Sequence, residues 1–113
     1  MKLTINNIYK TILDEASDAF GDGWDSIKNY APVEFKKMST QLKDIAKNVA
    51  KYAIDSNDGY SPDTGKILLK MQVVATESVL VAISTLTLIA VQNAINNIFE
   101  ALKNTFSELV PIL

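Results

Sequence analysis

From Lys66 to Val110 the chain runs for 45 residues without a glycine or a proline, so nothing in that stretch forces a helix to stop before Pro111. As one helix it would be about 68 Å long, whereas a compact domain of 113 residues has a radius of gyration of roughly 13 to 14 Å. A helix of that length cannot lie inside a globule. Either it breaks, near Ser84-Thr85-Leu86-Thr87 or at Asn96-Asn97, or the molecule is an elongated hairpin. Positions 4–55 also read as helix and supply a first arm of comparable length, which favours the hairpin.

In the first arm, Ile5, Ile8, Ile12, Ala16 and Ala19 follow a 3-4-4-3 spacing that puts one apolar stripe on a helix, with Thr4 placed to cap its start. Gly21-Asp22-Gly23 predicts a bend or a short break, after which the stripe resumes at Ile27 and Tyr30. Pro32 either opens a new helix or kinks a continuing one. Phe35, Met38, Leu42, Ile45, Val49 and Tyr52 then keep a strict 3-4-3-4-3 alternation, the spacing of helices packed as in a coiled coil. Lys36, Lys43, Lys47 and Lys51 lie off that stripe.

Between the arms, Asp58-Gly59 followed by Ser61-Pro62-Asp63 is the strongest turn signal in the chain. Ser61 as a cap with Pro62 in the first helical position makes a well-formed start, although Gly65 weakens the first turn. The expectation is therefore an all-α fold: a single helical domain over 1–113, with arm one at 4–55, the turn at 56–63 and arm two at 64–110. The first arm would be bent at Gly21–Gly23 and at Pro32, and the antiparallel hairpin would assemble into a multi-helix bundle.

The case for assembly rests on the second arm. Ile67, Val74, Val81, Leu88, Ile95, Leu102 and Leu109 form a seven-residue ladder, all aliphatic, which predicts an interaction seam. Between Glu77 and Glu100 lie 22 residues without a charge, Ser78 to Phe99, and from Val79 to Val91 aliphatic side chains point to every side. A helix apolar all round is a buried one, and a single partner arm covers only one stripe of it. The apolar end Val110-Pro111-Ile112-Leu113 adds to the surplus. A homo-oligomer is expected, with a different protein partner as the other occupant.

Several chemistries are excluded by composition. Without Cys or His there is no thiolate nucleophile, disulfide, imidazole base or zinc site of thiolates and imidazoles, and without Arg no bidentate fork for phosphate. No metal, cofactor or catalytic residue set is expected. A formal charge of −2 and the lack of any concentrated basic segment argue against nucleic acid as a partner. Residues 1–30 hold five acids and three Lys, while 33–53 hold five Lys and two acids, so these helices are complementary in sign. Solvated faces explain that difference as well, because exposed ion pairs contribute only about 0 to 1 kcal/mol.

Five local patterns have simpler explanations than a functional site. Gly21-Asp22-Gly23 follows a helical stripe where a nucleotide loop would follow a strand, so a hinge is expected. Counted from Asp55, a calcium loop would need Gly sixth and Glu twelfth, but Gly59 is fifth and Lys66 twelfth. Asp14, Glu15, Asp18, Asp22 and Asp25 read as a solvated acidic face. Trp24 and Tyr60 are candidate partner anchors, though aromatics beside glycines more often close the end of a bundle. Glu77 stands closest to the apolar centre, with Lys70 and Lys51 as conceivable partners, or reaches solvent from its edge.

The function expected from these residues is a non-enzymatic structural or interaction protein that works by self-association or by binding a partner helix. A membrane-associated or pore-forming protein using segment 78–99 is the alternative, disfavoured by Gln92, Asn93, Asn96 and Asn97. A small enzyme using only Asp, Glu, Lys or Tyr is a third, which no spacing assembles. Asn6 and Asn7 interrupt the N-terminal apolar character too early for a secretory signal, so the default expectation is cytoplasmic.

Overall fold

The computed structural model describes residues 1–113. Helix α1 covers Ile5–Phe20 and is capped by Thr4, whose hydroxyl accepts from the Asn7 amide at 3.1 Å. A 3-10 turn at Gly21–Gly23 and a one-turn helix α2, Trp24–Ile27, reverse the chain. Helix α3 runs over Ala31–Ile54 with Pro32 in its first turn, where a missing amide donor costs no bond. Helix α4 covers Pro62–Ile83, capped by Ser61, whose hydroxyl accepts from the Thr64 amide at 3.2 Å. Helix α5 covers Leu88–Thr105, and a last 3-10 turn occupies Ser107–Leu109.

The four long helices close into a ring. α1 packs on α3, α3 on α4, α4 on α5, and α5 returns to α1. Neighbours in sequence run antiparallel, as short connections require: Phe20 at the end of α1 meets Phe35 near the start of α3, and Gly65 at the start of α4 sits against Ile45 and Val49 late in α3. The inward stripes are those of the sequence. Ile8, Ile12 and Ala16 of α1 and Phe35, Met38, Leu42, Ile45 and Val49 of α3 are all buried.

The all-α bundle is present, but the elongated hairpin is not. The molecule measures 45 × 26 × 19 Å, shorter than a single 45-residue helix. α1 folds back on α3, so residues 4–55 form two packed helices and not one bent arm. The second arm breaks at Ser84–Thr87, the first of the two breakpoints considered. Ser84 and Thr87 do this with their hydroxyls, which accept from the amides of Leu86 and Ala90, both at 3.1 Å. Such local bonds offer the backbone an alternative to the helical ladder. Leu86 completes the turn by packing against Gly23, where an added Cβ would collide with its side chain.

The C-terminal residues also differ from expectation. Leu109 and Ile112 are buried in the chain's own core, which leaves only Val110 and Pro111 of this apolar end exposed. It crosses the start of α4. A Cβ at Gly65 would stand 3.0 Å from Val49 Cγ2, 3.1 Å from Ile45 Cγ2 and 3.2 Å from Ile112 Cγ2. The glycine that weakens the first turn of α4 thus lets three aliphatic side chains close over it.

Candidate interaction surface

The break at Ser84–Thr87 divides the aliphatic ladder. Ile95, Leu102 and Leu109 are buried inside the bundle and cannot meet another molecule without unfolding it. Val81 is half-buried. Only Ile67, Val74 and Leu88 of the seven are exposed. The ladder is therefore not one continuous interface, because α5 turns its share toward α1.

What remains outside is Ile67 and Val74 of α4 and Leu88 at the start of α5, and only α4 carries it as a stripe. At about 100° per residue, Gly65, Leu69, Thr76 and Leu80 share the inward face. On the opposite side stand Thr64, Ile67, Met71, Val74, Ala75, Ser78 and Ala82, every one of them exposed. Ile67 is 64% exposed, Met71 63% and Val74 50%. No charged residue lies in this stripe, and its one central hydroxyl is already satisfied, since Ser78 donates to the Val74 carbonyl at 2.9 Å. Covering the stripe would strand no polar group. Met71 was absent from the ladder, because counting in sevens skips the i+4 neighbour of Ile67; the aliphatic side chains on every side were the signal that pointed here.

Lys70 and Glu77 flank the stripe, two turns apart on the same edge of the helix. Glu77 is only 7% exposed. Neither Lys70 nor Lys51 pairs with it, for the ion pairs of the chain are Lys28–Asp25, Lys37–Glu34 and Lys103–Glu100. No fully buried polar atom lacks a partner, so the Glu77 carboxyl keeps contact with water at the rim. Burial pushes its pKa above the usual carboxylate value. A raised folded-state pKa means that the proton is held more tightly in the fold, so this group's contribution is present at low pH and is lost as pH rises through the folded value. Glu77→Gln is thus expected to be more stable than the wild type at neutral pH, the gap closing below about pH 4. Urea denaturation of dilute protein across pH checks this; a constant gap at all pH values would count against it.

The other sequence candidates do not converge. The three ion pairs each join residues i and i+3 along the chain, so the opposite charges of α1 and α3 form none between them. Lys36 alone bridges the two, donating to Asn6 Oδ1 at 3.0 Å with its ammonium 4.9 Å from the Tyr9 ring centre. Asp14, Glu15, Asp18, Asp22 and Asp25 are exposed, and no group of three or more acidic side chains gathers as a metal site would require. In the turn, Asp55 and Asp58 accept from the amides of Asn57 and Gly59 at 3.0 and 2.9 Å. Trp24 and Tyr60 are half-buried against the core, Trp24 with its ring 6.3 Å from that of Phe20. Burial, then the nearby Asp44 charge, raises the Tyr60 pKa, against a lowering bond with Asn48.

The surface grooves are open, and in the one lined by both signs of charge Glu108 stands among Lys2, Lys43, Lys47 and Lys51. Another of about 540 Å³ is lined by Tyr9, Pro32, Val33, Lys36, Lys37 and Thr40. Segment 78–99 is split between α4 and α5, and no helix is long and apolar enough to cross a membrane. Set beside known protein families, characterised proteins and solved structures, the chain matches none of them.

Proposed function

We propose that this chain is a non-enzymatic helical interaction protein that works by self-association through the outer face of α4. The observation that carries the reading is the uncharged stripe of Ile67, Met71 and Val74, at least half exposed on a regular 22-residue helix. Single exposed apolar residues are ordinary, whereas a contiguous stripe without charge marks a binding face. The core is complete without it, so this face has no structural duty within one chain. Supporting the non-enzymatic part, the chain has no Cys thiol and no His imidazole to act as nucleophile or base.

Light scattering over a concentration series tests the reading. The wild type should exceed the monomer mass at high concentration, while Met71→Asp and Val74→Asp should stay monomeric with melting temperatures close to that of the dilute wild type, because both side chains face water in the single chain. A wild type that remains a monomer throughout would end the proposal.

A further inference from the structure

We infer that the partner on this face is a second copy of α4, packed antiparallel about a two-fold axis that passes between Val74 and Ala75. The inference rests on the self-association reading and adds its geometry. The stripe is graded along the helix: Ile67, Met71 and Val74 are large, and Ala75, Ser78 and Ala82 are small. An antiparallel pair about that axis brings Ile67 level with Ala82, Met71 with Ser78 and Val74 with Ala75, so that every level holds one large and one small residue. Parallel packing would crowd Ile67 on Ile67 and Met71 on Met71, and leave a gap where Ser78 and Ala82 meet their own copies. Closed pairs use the same patch on both subunits, and this patch is complementary to its own reverse.

Charge points the same way. Lys70 and Glu77 lie on one edge of the stripe, and neither takes part in an ion pair within the chain. In an antiparallel pair that edge faces itself reversed, which brings each Lys70 beside the other copy's Glu77, twice by symmetry. Parallel packing would set that edge against the opposite one, where Leu68, Gln72 and Val79 offer no charge. Lys66 then falls opposite Ile83, the last residue of α4, where the helix ends without a basic side chain in its last turn. The area suits a reversible pair. A 22-residue helix is about 33 Å long, and one such face against another buries of order 1,000 Å², at the lower end of specific interfaces.

Because the chain contains no cysteine, single substitutions report geometry without background. Ile67→Cys, Ala82→Cys and Val74→Cys would each be oxidised alone, and the first two also as a mixture, then resolved without reductant. Val74→Cys is expected to crosslink to itself, being next to the axis. Ile67→Cys and Ala82→Cys should crosslink only when mixed, since positions 67 and 82 are about 22 Å apart along the helix and a disulfide spans Cα atoms no more than about 7 Å apart. A wild-type dimer in which Ile67→Cys links to itself would overturn the antiparallel arrangement and leave self-association standing. A dimer with no crosslink at any of the three would place the interface elsewhere and overturn the inference. A monomer at every concentration would remove both the inference and the reading beneath it.

Discussion

Ile95→Asp is expected to unfold the isolated chain, not merely to separate copies of it. Ile95 is 1% exposed and lies with Val91, Ala94, Ile98 and Leu102 on the inward face of α5. Losing an aliphatic side chain from such a site costs about 1.5 to 3 kcal/mol, and the buried carboxylate without a partner costs several more. Against the roughly 5 to 15 kcal/mol that holds a domain of this size, little would remain. Leu88→Asp is the contrasting case, since Leu88 is half exposed and the new carboxylate can stay in water. Circular dichroism melts of both variants in dilute protein decide the point. A cooperative Ile95→Asp transition near the wild-type temperature would mean that the inward face of α5 is wrongly placed.

The second large effect is expected at Phe35. Its side chain is fully buried, with its ring 6.2 Å from that of Phe20, which in turn lies 6.3 Å from Trp24. The three rings join the end of α1, the one-turn α2 and the start of α3. Phe35→Ala should lower stability by about 3 to 5 kcal/mol through lost burial and the cavity left behind. Trp24 is the only tryptophan, so its emission reads the same site: it should move to longer wavelength in the folded variant as water reaches the ring. Phe35→Leu, which keeps more of the volume, should fall between the two. A Phe35→Ala variant within about 1 kcal/mol of the wild type would contradict the packing.

The stripes of α1 and α3 were legible because each helix buries one face against neighbours, so a period near 3.6 in the sequence survives as a buried row. Thr4 and Ser61 were legible as caps for an equally local reason: a hydroxyl next to the first free amides can satisfy them wherever the helix lies. The turn at Ser84–Thr87 was legible only as a possibility. Ser and Thr are tolerated inside helices, and what decides for a turn is Leu86 meeting Gly23, a contact between distant parts of the chain. The ladder failed for the same reason. Its period of seven holds within α4 and within α5, but an interrupted helix resets its phase, so Ile67 and Val74 point outward while Ile95 and Leu102 point inward. The exposed apolar surface is greatest on α4, while Leu88 and Ile89 of α5 and Val110 and Pro111 at the C-terminal end carry a smaller share.

The ring closes between its first helix and its last, and α1 finds its most extensive partner in α5. Helices of this length are marginal in water on their own, and α1 has only α3 beside it until nearly the whole chain is available. The domain therefore has no shorter version of itself to retreat to. Opening the α1–α5 contact bares the inner faces of both helices at once, so their amides belong to one cooperative unit whose hydrogen exchange slows or quickens together. α4 stands apart not by how much it exposes but by what: its outward stripe is uncharged, where those of α1 and α3 carry Lys, Asp and Glu.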